Sequence, residues 1–170
     1  RQGCAMVLQK NTLFSGTIAE NLRFGRDEAT DGELAEAAAI AQASDFIAEK
    51  EGGLGAALSQ GGVNVSGGQK QRLSIARALA RRPRIYLFDD SFSALDFKTD
   101  ARLRSALRKK TGDATVIIVA QRVGTIRDAD QIVVLDEGRV VGKGRHAELM
   151  ATCAVYKEIV ASQLSAEEAV

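Results

Sequence analysis

The chain has 170 residues, 45% hydrophobic and 26% charged, which suits one globular domain or part of one. Its 23 basic and 22 acidic residues leave a net charge of +1, with Lys and Arg scattered in short clusters, so composition gives no reason to invoke nucleic acid. Cys4 and Cys153 match neither metal-ligand spacing nor a disulfide framework and read as reduced thiols in a cytosolic setting. No apolar stretch approaches the roughly 20 residues of a membrane span, and no basic-then-apolar leader is visible. The abrupt start at Arg1-Gln2-Gly3, entering an apolar run almost at once, is expected of a piece cut from within a domain.

Residues 4–8 form a short apolar run that reads as a buried strand with Gln9 at its tip. Residues 17–24 suggest a short helix, and Thr30-Asp31-Gly32-Glu33 is a capping box before an alanine-rich helix running to Ala43. Ser44 is expected to cap a further helix through Lys50. The five glycines between Glu51 and Gly62 predict a loop, because so many permissive residues would cost a regular element too much entropy. Helix after helix without a convincing strand up to Val65 points to a helical subdomain inserted into a sheet-bearing core. In Val65-Ser66-Gly67-Gly68-Gln69, Ser66 can cap the first helical turn and Gln69 can reach back, while two glycines leave backbone N–H groups open to close approach. Such a helix start favours phosphate, although an ordinary capped helix with Leu73, Ala76 and Ala80 as its apolar stripe has the same local pattern.

After Pro83, Ile85-Tyr86-Leu87-Phe88 lacks alternation, as expected for a strand covered on both faces, and stops at Asp89 and Asp90. Asp96 is placed to cap a helix from Phe97 to about Lys110, and residues 115–119 form a second fully apolar strand ending near Gln121. The long crossover makes these strands parallel and brings Asp89, Asp90 and Gln121 to one carboxyl edge, where ligands of such sheets bind. Residues 131–135 predict a third strand turning through Asp136-Glu137-Gly138-Arg139 into a hairpin, followed by helices over 146–150 and 155–164. His146, the one histidine, begins a predicted helix and reads as a surface or capping residue; Arg81-Arg82 and Arg108-Lys109-Lys110 sit at helix C-terminal ends and complement the helix dipole.

The string Val65 to Gln69 resembles the signature motif of ABC-type ATPases, there normally Leu-Ser-Gly-Gly-Gln. Residues 84–90 resemble the Walker B strand of that family and Ser93-Ala94-Leu95-Asp96 its D-loop; Gln9 falls at the Q-loop and Gln121 at the switch histidine. Residues 13–22 resemble the segment after the Q-loop in ABC exporters, where transmembrane coupling helices dock. The resemblance covers essentially the whole chain and implies an α/β fold: a partial P-loop ATPase domain with a parallel sheet and an inserted helical subdomain. Residues 1–10 would be core strand and Q-loop, 11–82 the helical subdomain and 83–170 the second half of the ATPase core. It implies ATP and Mg2+ as ligands. Asp89 and Gln9 would hold the metal and Asp90 and Gln121 the catalytic positions, while Gln9, Val65, Ser66, Gly67, Gly68, Gln69 and Asp96 would contact nucleotide. The implied partners are a second nucleotide-binding domain, arranged head to tail, and transmembrane domains docking on residues 11–24, at the cytoplasmic face of the plasma (inner) membrane; nucleic acid is not among them.

Three departures qualify the resemblance. No Gly-x-x-x-x-Gly-Lys-Ser/Thr occurs, so the P-loop is expected upstream of Arg1, and the 170 residues alone are expected to bind ATP poorly and not to hydrolyse it. Asp90 stands where the family usually has glutamate, withdrawing the base by one methylene, and Gln121 replaces a histidine, losing a group that titrates near neutral pH. Together they resemble the degenerate subunit of a heterodimeric exporter. Gln60 and Gly61, where exporters often have Glu-Arg, are a further change. The rival readings are a soluble ABC ATPase of DNA repair or translation and a nucleotide-binding regulatory domain without turnover.

Overall fold

Strand β1 (Cys4–Val7) opens the part of the chain that the computed structural model describes, residues 3–167, and it ends just before Gln9. A two-residue strand, β2 (Gly16–Thr17), hands over to α1 (Ile18–Arg23) through a reciprocal cap: Thr17 Oγ1 accepts the Glu20 N–H at 3.1 Å, and Glu20 Oε2 accepts the Thr17 N–H at 2.6 Å. Helix α2 (Asp31–Ile40) begins at the expected Thr30–Glu33 capping box. It stops short of Ala43 because Gln42 takes a left-handed φ of 57° and the Ala43 N–H reaches the Ala38 carbonyl at 2.8 Å, closing a Schellman turn. Helix α3 (Ser44–Ala48) therefore starts at once. Ala43, not Ser44, occupies its cap position and no side chain caps it, which corrects the role expected of Ser44.

The glycine-rich stretch holds more order than a loop. Two 3-10 turns, Gly53–Gly55 and Gln60–Gly62, flank β3 (Ala57–Leu58), which pairs antiparallel with β2 where no strand was expected. Asn64 secures the corner, donating to the Ala57 carbonyl at 2.9 Å and accepting the Ser59 N–H at 3.0 Å. Helix α4 (Gly67–Ala80) follows, then β4 (Ile85–Asp89), α5 (Phe97–Lys110) and β5 (Thr115–Val119). Asp96 caps α5 as expected, its Oδ1 accepting the Thr99 N–H at 2.9 Å.

Strands β1, β4 and β5 form a parallel sheet in the order β1-β4-β5, with Val7 opposite Phe88 and Asp89 opposite Val119. Ala5, Val7, Tyr86 and Phe88 share one core with the helices of this first unit, which extends to Val119. The alternate side chains Met6, Ile85, Ile117 and Val119 remain exposed. The expectation that β4 and β5 are covered on both faces thus fails in these residues: burial alternates along both strands, with Tyr86, Phe88, Val116 and Ile118 turned to the core.

The second unit, from Ala120 onward, has its own core of Val123, Ile132, Val134, Leu149, Cys153 and Tyr156. A short helix, α6 (Val123–Ile126), precedes the expected hairpin of β6 (Ile132–Asp136) and β7 (Arg139–Gly144). The turn has positive φ at Glu137 (45°) and Gly138 (76°), the backbone twist that two-residue hairpins favour. Helices α7 (His146–Thr152) and α8 (Ala154–Glu167) close the unit, and Arg145 rather than His146 takes the α7 cap position. His146 Nδ1 lies 2.9 Å from the Tyr156 hydroxyl. No helix among the described residues is long and apolar enough to cross a membrane.

Helix α1 ends against α4 at Gly25, where an added Cβ would stand 2.2 Å from the Arg77 carbonyl oxygen. The obstacle is backbone, so it cannot rotate away. Gly25→Ala is expected to destabilise the protein by about 1–3 kcal/mol through forced separation of α1 and α4, read as a lower midpoint in denaturant; an unchanged midpoint would show that the two helices are not held at this spacing. A second expectation concerns acid. The Arg26 guanidinium, followed by the Thr30 N–H, pushes the Glu33 carboxyl down to about 2 from an ordinary 4.5. Its stabilising effect is complete above 4.5 and is lost as pH falls toward 2. The stability gap between wild type and Glu33→Gln should therefore be constant near neutrality and close within that acid window; a gap that persists below it would contradict the assignment.

Candidate nucleotide site and signature turn

The sequence fixes the turn at Ser66 by local chemistry. Ser66 Oγ accepts the Gln69 N–H at 3.2 Å and Gln69 Oε1 accepts the Ser66 N–H at 3.1 Å, so each residue satisfies a backbone donor of the other. Ser66 and Gly67 are exposed, and Val65 is half-buried against the core. A Cβ on Gly67, the first residue of α4, would meet nothing within 4 Å. Nothing in its own chain requires glycine there. A Cβ on Gly68 would lie 3.4 Å from the Ala94 carbonyl oxygen, so the signature turn stands close to the loop between β4 and α5.

The carboxyl edge of the sheet supplies the second group. Asp89 ends β4, half-buried, and Asp90 follows with a left-handed φ of 44°, its N–H held by the Val119 carbonyl at 2.9 Å. That backbone turn lifts the Asp90 carboxylate out of the strand. Gln9 Nε2 donates to Asp90 Oδ2 at 3.2 Å across 81 positions of sequence, so the structure brings together the two residues that the sequence placed at neighbouring strand tips. Gln9 thereby spends its amide nitrogen on the carboxylate and keeps its carbonyl oxygen for a ligand. Oxygen donors from Gln9, Asp89 and Asp90 suit a hard cation such as Mg2+. Among the described residues no cluster of three or more His, Cys, Asp or Glu could hold a metal by itself, and magnesium, which keeps waters and phosphate oxygens around one or two carboxylates, does not need one. Asp96 is occupied as a helix cap; its hydrogen bonds from Thr99 hold its carboxyl below the ordinary value.

Gln121 belongs to the second unit, exposed, with its backbone carbonyl accepting from Gln163 Nε2 at 2.5 Å. Gln163 also accepts the Val123 N–H at 2.8 Å, which fixes the start of α6.

The residues that sequence reasoning missed lie along α4 and just after β4. Gln71 and Ser91 are both buried: Gln71 Nε2 donates to the Ser91 carbonyl at 2.7 Å, and Ser91 Oγ donates to the Val7 carbonyl at 2.9 Å. Arg77, further along, donates to the Asn21 carbonyl at 2.9 Å, to Asn21 Oδ1 at 3.0 Å and to the Thr12 carbonyl at 3.0 Å, with its guanidinium 5.4 Å from the Phe14 ring centre. Gln71 and Arg77, long polar residues set beside the apolar Leu73, Ile75, Ala76, Ala78 and Leu79, were the available signal. Beside them Phe14 and Phe24 pack at 4.6 Å between ring centres and remain 44% and 59% exposed. They border a cleft of about 430 Å³ that also touches Met6, Leu8, Arg77 and Arg81.

Comparison with known proteins agrees with this arrangement. The family model described as ABC transporter matches residues 1–93. The chain is 50% identical over 161 residues to an uncharacterised ABC transporter ATP-binding protein of Mycobacterium tuberculosis, covering 93% of this chain and 27% of that protein. It is 44% identical over 163 residues to the human ATP-binding cassette sub-family B member 5, covering 96% of this chain and 13% of that one. Among solved structures, a bacterial Atm1-family ABC exporter with ATP bound superposes with a TM-score of 0.92 at 40% identity, over 96% of this chain and 29% of that chain. The chain thus spans less than a third of the length of each of these relatives. With more than half of its residues matching the family model and the signature turn, strand-end carboxylates and Gln9 in one unit, the chain belongs to the ABC transporter family.

Proposed function

We propose that the chain is part of the ATP-binding domain of an ABC exporter, in which ATP binding and hydrolysis drive export, and that it is the catalytically weakened subunit of a heterodimer. The observation that carries this reading is the pairing, in one sequence, of an open, fully capped signature turn with Asp at 90 and Gln at 121. In a head-to-tail dimer the turn serves nucleotide held mainly by the partner. With the Ser66 and Gln69 N–H groups taken by the reciprocal cap, the Gly67 and Gly68 N–H groups and the Ser66 hydroxyl meet its γ-phosphate, and the unobstructed space over Gly67 is where that phosphate approaches. At this chain's own site Asp89 and Gln9 would hold Mg2+, which would neutralise phosphate charge when bound. Asp90 carries the charge of a base with shorter reach, and Gln121 orients by hydrogen bonding alone. Val65 and Gln69 shape and brace the signature turn, and Asp96 holds the D-loop beside the dimer interface.

The exposed aromatic pair Phe14 and Phe24, on a segment tied to the signature helix by Arg77, supports docking of membrane domains on residues 11–24 at the cytoplasmic face of the plasma membrane. A second reading, nucleotide-driven dimer closure without turnover, draws on the same two departures at 90 and 121 and applies to this chain's own site.

Two outcomes follow. Ser66→Arg should lower ATPase activity of the full-length heterodimer by about 10²-fold or more, because it places a long side chain where oriented donors belong, whereas Asp90→Asn should cost far less. Equal losses in steady-state assays would make this chain's own site the catalytic one. The 170 residues alone, with no Gly-x-x-x-x-Gly-Lys-Ser/Thr, should show background ATPase and only weak nucleotide binding; tight magnesium-dependent binding by calorimetry would contradict this.

A further inference from the structure

We infer that Gln71 is a positioning residue that sets the signature turn against the strand-end carboxylates of its own chain, through a buried amide bonded at both ends. Its Oε1 accepts from the amide nitrogen of Asn11, two residues beyond Gln9, and its Nε2 donates to the carbonyl of Ser91, the residue after Asp90. Ser91 in turn closes onto the end of β1 through the Val7 carbonyl at 2.9 Å. One side chain therefore joins three segments: the arm that carries Gln9, the first turns of the signature helix, and the turn that presents Asp90.

Only an amide fits this place. Gln71 is 5% exposed and Ser91 fully buried, so water does not replace a lost partner. Gln71 must donate at one end and accept at the other; a carboxylate would set its oxygen against the Ser91 carbonyl, an ammonium could not accept from Asn11, and an apolar chain would leave both unpaired. The position also fixes geometry close to the signature turn, since Gly68, on the preceding turn of α4, stands against the Ala94 carbonyl in the same β4–α5 loop. A shift of the Gln9 arm reaches the signature turn through Asn11 and Gln71, and reaches Asp90 through Gln71 and Ser91. The two ends of the machinery, one serving this chain's nucleotide and the other serving the partner's, are held at a set separation by this amide.

The inference rests on the proposed ATPase reading, so its test carries a control for that reading. In the full-length protein, kcat and KM for MgATP are measured for Gln71→Met, which keeps length without polar ends, for Asn11→Ala, and for the double variant. Gln71→Met is expected to lower kcat about tenfold and Asn11→Ala about threefold, with KM within about twofold, because misplacement of a donor set affects the reacting geometry more than binding. The double variant should match Gln71→Met alone, since both changes cut one path. Wild-type kcat in both single variants, or losses that multiply in the double, would overturn the relay. If Gln71→Met does not accumulate as folded protein, Asn11→Ala, on a half-buried surface arm, still decides: unchanged kcat there overturns it. Ser66→Arg assayed in parallel separates the two failures. Full activity in Ser66→Arg defeats the proposed role of the signature turn, whereas lost activity in it beside unaffected Asn11 and Gln71 variants defeats the relay alone.

Discussion

The first unit depends on the burial of α4. From Gln71 to Ala80 all but Arg72 and Arg77 are buried, and even these two are only partly exposed. A helix enclosed in this way cannot send its polar side chains to water, so each long one must find protein partners. Gln71 bonds Asn11 and Ser91; Arg72 donates to the Gln42 carbonyl at 2.6 Å and lies 4.8 Å from the Phe46 ring centre; Arg77 bonds Asn21 and Thr12. Burial pulls the Arg77 guanidinium pKa below its ordinary value, and the carbonyls around it are what make a charge there tolerable. The segments thus pinned are the Gln9 arm, the corner between α2 and α3, and the stretch from Thr12 to Asn21.

Asn21 shows how far this requirement spreads. It is fully buried, donates to the Phe14 and Thr17 carbonyls at 2.8 and 3.0 Å, and accepts from the Phe14 N–H and from Arg77. One amide side chain holds the loop before α1 in shape and gives Arg77 its anchor. The exposed Phe14 lies on that loop: with its backbone held by Asn21, its ring packs tilted at 41° against Phe24 at the rim of a cleft instead of entering the core. An exposed aromatic surface therefore sits beside the same hydrogen bonds that satisfy a buried helix.

The signature turn combines two opposed demands. Capping by Ser66 and Gln69 stabilises the helix start, while glycine at 67 adds backbone freedom there that no contact among the described residues requires. Local and global preferences disagree at this point. Asp90, with its left-handed φ, is a second instance: a non-glycine residue held in a sparsely populated conformation at the strand end, where it meets Gln9.

Local sequence alone determined the elements whose signals are local. The capping boxes at Thr30 and Ser66, the Asp96 cap, the apolar strand runs and the hairpin turn at Glu137-Gly138 each rest on contacts within a few residues, so the sequence displays both partners side by side. Parallel pairing of β4 with β5 followed from the length of the crossover between them, and the family signature from strings that keep their spacing. What tertiary structure decided was everything whose partner is distant: the Schellman end at Gln42 that displaced Ser44 from its cap, the β2–β3 ladder, the uncovered face of β4 and β5, and the meeting of Gln9 with Asp90. Gln71 is the plainest case. In sequence it is one more polar residue in a helix start, and only the enclosure of α4, which removes water from its amide, forces it to join Asn11 to Ser91.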